Sequence, residues 1–153
     1  ILTHNFSLAK TSVLDLFAGT GALGLEALSR GAKEATFVEN HKETMDLIRE
    51  NSKSLKDVCT YVLQDVDKFL QMPPVQPYDI IFMDPPYHWT GLQAVLKKIV
   101  VNQWIKTTGI LILETSSDSD VSLPEILILR DKRTYGKTTV WFIGKDAIKK
   151  EAI

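Results

Sequence analysis

The sequence predicts an α/β protein built on a doubly wound, mostly parallel sheet. Three observations point there. Short apolar runs alternate with helix-period segments five times along the 153 residues. A glycine loop, Gly19-Thr20-Gly21-Ala22-Leu23-Gly24, follows the first apolar run and opens the first helix. Two late apolar runs flank Tyr135-Gly136-Lys137, which makes them an antiparallel pair that closes the sheet.

Residues 1–10 have no clear period and read as a lead-in. Residues 12–17 form the first strand, with Asp15 as the odd residue in it. A lone acid in a buried strand is costly unless it is paired or placed at a site. The first helix runs to about Arg30, with Leu23, Ala27 and Leu28 on one side and Gly31 as its C-cap. Residues 34–39 are the second strand, ending in Glu39, and residues 41–53 a polar-faced helix burying Met45, Leu47 and Ile48. Residues 59–63 are the third strand, ended by Gln64-Asp65, and residues 66–72 a short helix closed by Pro73-Pro74. Residues 78–83 are the fourth strand. Leu92, Val95, Leu96 and Ile99 then mark a helix over residues 92–101. Residues 109–114 are the fifth strand and 116–122 a polar loop. Residues 125–130 and 138–143 are the closing pair.

Composition bounds the rest. Hydrophobic residues make up 44% and charged residues 24%, with a formal net charge of −1, an ordinary soluble profile that suits one domain spanning residues 1–153. Any nucleic-acid contact must therefore be local. Cys59 is the one cysteine, so no disulfide can form within the chain, which fits a reducing cytoplasm. No run approaches the roughly 18 apolar residues of a membrane span, and no signal peptide is visible. His4, His41 and His88 are scattered without zinc-ligand spacing, so no metal is expected. The first residue is Ile1 rather than Met, so the natural start is expected upstream.

The stretch that carries chemistry is Asp84-Pro85-Pro86-Tyr87, directly after the fourth strand. Neither proline has an N–H for the ladder, so the sheet stops there and the next residues are held stiffly. In open α/β sheets ligands bind at that carboxyl edge. An Asp carboxylate, a proline carbonyl and an aromatic ring suit a flat ring bearing an amine: two acceptors for the NH2 and one face to stack on. His88 and Trp89 follow and can line the mouth or simply pack.

The glycine loop matches G-x-G-x-x-G. In that pattern Gly19 allows the tight turn, Gly21 a close ligand approach and Gly24 tight helix packing. Glu39 lies 20 residues past Gly19, where an acid reaches both hydroxyls of a ribose. This pair suits NAD and S-adenosylmethionine equally. Asp15 can face the cationic amino-acid end of S-adenosylmethionine, or it can satisfy backbone amides of the loop. Asp65 can accept from an adenine amino group, or it can cap the helix from Val66. Together, Asp15, Glu39, Asp65 and Asp84 set an acid at the ends of four successive strands, which capping alone hardly explains. Phe17, Thr20, Asn40 and Val66 flank these positions and complete the candidate cofactor set. Between Arg130 and Lys150, basic residues outnumber acidic ones by five, a cluster suited to phosphates or to a solvated hairpin.

The stretch from Val13 to Ala32, VLDLFAGTGALGLEALSRGA, closely resembles the RsmD-type RNA methyltransferases of bacteria, as do Asp84-Pro85-Pro86-Tyr87 and the late Tyr135-Gly136-x-Thr138. The similarity covers nearly the whole chain. It implies a class I fold with sheet order 3-2-1-4-5-7-6 and an antiparallel last strand. It also implies S-adenosylmethionine as cofactor and the N2 of a guanine in small-subunit (16S) rRNA, or its assembly intermediate, as target. By position, the glycine loop and Glu39 bind cofactor, Asp65 approaches the adenine, and Asp84, Pro85, Pro86 and Tyr87 hold the base. The resemblance also implies a basic β-hairpin and a helix before the first motif, as family members usually carry; this sequence reads as lacking them, so cofactor binding is expected to be competent and RNA binding poor. The expected protein is a cytoplasmic monomer. Asp-Pro-Pro-Tyr also occurs in adenine-N6 DNA methyltransferases, and a related form in protein-glutamine methyltransferases. An NAD-dependent oxidoreductase or a degenerate nucleotide-binding module is the reading from a different class.

Overall fold

The structure is a computed structural model that describes residues 7–146; His4, Lys149 and Lys150 lie outside the described residues. The strands are β1 (Ser12–Leu16), β2 (Glu34–Glu39), β3 (Cys59–Leu63), β4 (Tyr78–Met83), β5 (Ile105–Ser116), β6 (Leu127–Tyr135) and β7 (Thr138–Lys145). The α-helices are α1 (Ala22–Ser29), α2 (Lys42–Asn51), α3 (Val66–Phe69) and α4 (Leu92–Val101). The strands form one sheet in the order β3-β2-β1-β4-β5-β7-β6, the order the resemblance implies. The pairings from β3 through to β5 are parallel; β7 runs antiparallel to both β5 and β6.

Alternation along β1 explains why helices must cover both faces. Val13 points to one side, where Ala27 and Leu28 of α1 and Met45 and Ile48 of α2 pack with Phe37 and Phe82. Leu14 and Leu16 point to the other, where α3 supplies Val66 and α4 supplies Val95, Leu96 and Ile99. Asp15 is therefore on the α1 side, in the middle of an apolar layer.

Several boundaries differ from the sequence expectation, each for a local reason. Phe17 leaves β1 with φ 57°, turning the chain into the glycine loop. Leu47 is 53% exposed: it falls off the stripe that α2 buries through Met45 and Ile48. Helix α2 starts after His41, its N-cap, and a 3-10 turn over Lys53–Val58 leads into β3. Helix α3 stops at Phe69, short of Met72. Strand β5 starts at Ile105, before Gly109, because the ladder with β4 jumps from Tyr78↔Ile105 to Ile80↔Ile110. The polar segment between is bulged, and Lys106 reaches Asp79 at 3.1 Å from within it. Strand β6 begins at Leu127 rather than residue 125 and continues past Arg130 to Tyr135. Its outer side is charged, as suits an edge strand that must resist further pairing.

Candidate active site at the carboxyl edge of the sheet

The chain leaves β1 through Ala18, whose N–H bonds to the Val38 carbonyl at 3.0 Å, and turns at Gly19 and Gly21, both with positive φ (56° and 81°). A side chain at Gly19 would find its nearest neighbour 4.0 Å away, so space is open there. At Gly21 a Cβ would meet Ile48 at 3.2 Å. The side-chain direction of Gly21 is therefore filled by Ile48, whereas that of Gly19 is open. Gly24 is the packing glycine: a Cβ there would sit 2.5 Å from the Phe37 ring.

Two acids hold this loop. Glu39, half-buried at the end of β2, accepts from Gly19 N–H at 3.1 Å through Oε1 and from His41 N–H at 3.0 Å through Oε2. Asp15 is 2% exposed and accepts from Gly24 N–H at 3.1 Å. Of the two roles the sequence offers Asp15, the hydrogen bond to a backbone amide is the one present here. Burial pushes the Asp15 carboxyl up to about 8 despite the Gly24 hydrogen bond, and the nearby charges of Asp84 and Glu39 add to the rise.

Asp84 emerges from the end of β4. It is open to solvent on one side, and partial burial raises its carboxyl above the usual range. On the next strand Glu114 is half-buried and raised by burial and by the Asp84 charge. Sequence reading did not single out Glu114. The rule that picked Glu39, an acid closing an apolar strand, would have found it. Among the described residues, none of Asp15, Glu39, Asp84 and Glu114 is in an ion pair. The edge therefore gathers four uncompensated acids.

The Asp84–Tyr87 turn opens into a cavity of about 520 Å³, within the size range of small-ligand sites. Tyr87 is 70% exposed, with its ring 4.0 Å from that of His88, whose φ is 57°. Trp89 turns inward and meets Phe17 edge-on at 4.9 Å. His88 and Trp89 thus both line the cavity, with the polar loop around Ser116–Val121 and Lys137 opposite. The glycine loop, Glu39 and Asp65 do not line it. Asp65 is an exposed N-cap of α3, accepting from Lys68 N–H at 3.4 Å, while the Val66 side chain is buried in the core. Asn40 and Thr20 are exposed beside the loop.

This geometry fits S-adenosylmethionine better than NAD. Its amino-acid end brings an ammonium and its methyl donor a sulfonium, both cations suited to the uncompensated acids. NAD brings a pyrophosphate to the N-terminus of the first helix, and there the Gly24 N–H is already held by the Asp15 carboxyl. Among the described residues, no cluster of His, Cys, Asp or Glu suits a metal ion, and no helix is long and apolar enough to cross a membrane.

The family model described as conserved hypothetical protein 95 matches residues 1–144. A ribosomal RNA small subunit methyltransferase D from Haemophilus influenzae is 34% identical over 131 residues, which are 83% of this chain and 68% of that protein. The protein of the same name from Escherichia coli K12 is 32% identical, over 88% of this chain and 68% of its own length. A crystal structure from Haemophilus influenzae, provisionally assigned as a methylase, superposes with a TM-score of 0.83 at 32% identity, covering 90% of this chain and 88% of that one.

Proposed function

The chain belongs to the RsmD-type family, whose model is described as conserved hypothetical protein 95, and from that membership we propose that it transfers a methyl group from S-adenosylmethionine to the exocyclic N2 of a guanine in small-subunit (16S) rRNA. The observation that carries the reading is the rigid Asp84–Tyr87 turn at the carboxyl edge, with an exposed ring and an acceptor carboxylate facing one cavity beside an acid-lined loop.

The residues divide the work. Glu39 takes the ribose hydroxyls with the lone pairs its loop amides leave free. Asp15 faces the cationic amino-acid end, and the open backbone at Gly19 gives the cofactor room. Asp65 accepts from the adenine amine, with Asn40 and the Val66 backbone beside it. When bound, S-adenosylmethionine supplies an already activated methyl group, so no nucleophilic Ser or Cys is required. The target base must be unstacked to reach the cavity. Tyr87 then stacks on it, while Asp84 and the Pro85 carbonyl accept from its amine and aim the nitrogen. Pro86 stiffens the turn. Most of the rate comes from this alignment and from polarisation of the amine.

Asp84→Ala is expected to abolish methyl transfer to rRNA or subunit substrate while S-adenosylmethionine affinity, measured by calorimetry, stays within a few-fold. Tyr87→Phe should keep far more activity than Tyr87→Ala, because stacking needs the ring and not the hydroxyl. Mass mapping of rRNA from a deletion strain tests the assignment itself: a missing N2-methylguanine in 16S rRNA is the expected result. An intact 16S pattern, or a lost methyl on adenine or on a protein glutamine, sinks it.

A further inference from the structure

Met83 of β4 and Leu113 of β5 are the last registered pair of those two strands. The next residues are Asp84 and Glu114. Neighbouring strands lie about 4.8 Å apart, so two carboxylates leave the sheet side by side, and both line the cavity that Tyr87 borders. The backbone under Glu114 is held from the β7 side. It pairs with Val140 of β7, and Trp141 Nε1 donates to the hydroxyl of the adjacent Thr115 at 2.9 Å. No ion pair occupies the Glu114 carboxylate, and no buried side-chain oxygen among the described residues lacks a partner, so its oxygens are reachable from the cavity.

One carboxylate and a proline carbonyl already suffice for an exocyclic amine. A second fixed acceptor beside them calls for a second donor on the same ring edge. Guanine has one: N1–H stands next to the N2 amine. A purine with a lone pair at N1, such as adenine or 2-aminopurine, would set that lone pair against an acidic oxygen. We propose that Glu114 is a specificity-determining residue that accepts the N1–H of the target guanine while Asp84 accepts from its N2 amine. The assignment rests on the guanine-N2 reading above. It adds what that reading lacks, a group that tells guanine from another purine bearing an amine. The charge of Asp84 beside it fits this use, since two acids that repel each other are relieved by two donors on one rigid ring.

The test uses an rRNA fragment or reconstituted subunit carrying either guanine or 2-aminopurine at the methylated position. 2-Aminopurine keeps the N2 amine and loses only the N1–H and O6. Wild type is expected to prefer guanine by about tenfold or more in kcat/KM, since a site built around a donor rejects the analogue lacking it. Glu114→Gln, whose amide both donates and accepts, should bring that ratio several-fold closer to one, with S-adenosylmethionine affinity unchanged as the check on folding. Competitive binding of the two RNAs supplies the ratio for a variant too slow to turn over. A wild type that takes both RNAs equally overturns the proposal with no variant needed, as does an unchanged ratio in Glu114→Gln. A wild type that methylates neither base overturns the guanine-N2 reading itself, and this proposal with it.

Discussion

Asp15 links the chemistry of the site to the stability of the fold. Its carboxyl stands near 8 in the folded chain against an ordinary 3.8, so the folded state holds the proton more tightly than the unfolded one. The stability this proton confers is therefore complete in acid and is lost as pH rises from about 4 towards 8. Asp15→Asn should remove that slope: thermal unfolding of wild type falls between about pH 6 and pH 8, and the variant's curve stays flatter. A cation seated opposite Asp15 favours the ionised form. Cofactor binding near neutral pH should then release a proton. Calorimetry in two buffers of different ionisation enthalpy would show this for wild type and not for Asp15→Asn. Equal heats in both buffers for wild type would remove Asp15 from the cationic end of the cofactor.

At the scale of elements, the glycine loop and α1 are held by contacts no larger than a hydrogen atom allows. A Cβ at Gly24 would stand 2.5 Å from the Phe37 ring and 3.2 Å from the Asp15 carboxylate. Gly24→Ala should cost about 1–3 kcal/mol by overpacking, read from the urea midpoint, and should weaken cofactor binding by tilting α1 off β2. The elements legible in the sequence were those whose apolar pattern matches their burial. Strands β2 and β4 fall on their expected residues because each is a buried apolar run with clear punctuation; β3 does so through its apolar run and punctuation, although at the sheet edge none of its residues is buried and Leu63 is 53% exposed. Strands β5 and β6 were misjudged at their ends, where the bulge at Lys106 and the charged edge at Arg130 hide strand backbone behind polar side chains. In the site, Asp15, Glu39 and Asp84 were legible as acids out of place at strand ends. What stayed hidden was relational. That Glu114 stands beside Asp84 depends on the register of two strands about thirty residues apart, and that Ile48 fills the space at Gly21 depends on how α2 packs.

For the molecule as a whole, a net charge of −1 means that attraction to RNA must come from placement rather than total charge. The late basic cluster is less available than its sequence suggests. Arg133 is paired with Asp131 at 2.9 Å, Lys132 lies over the Trp141 ring at 4.3 Å, and Arg130 donates to the Lys145 carbonyl. Lys137, at the rim of the cavity, is in none of the ion pairs among the described residues. Lys137→Ala should therefore lower RNA affinity and reduce the salt slope by about one unit, while Arg133→Ala changes the slope less. Equal slopes in the two variants would put the phosphate contacts elsewhere. The strand order has a further consequence, for synthesis. Strand β7 is the last of the described strands to be made, yet it lies between β5 and β6. A nascent chain that has emerged only as far as Tyr135 has nothing to join β6 to the sheet, and the cavity wall at Lys137 and Thr138 does not yet exist. The hydrogen bond between Gly19 and Glu39 is encoded early in the sequence, the Asp84–Tyr87 turn in its middle, and the wall at Lys137 and Thr138 after both. During translation the glycine loop therefore precedes the Asp84–Tyr87 turn, and the cavity that the turn shares with Lys137 is complete only once β7 has been made.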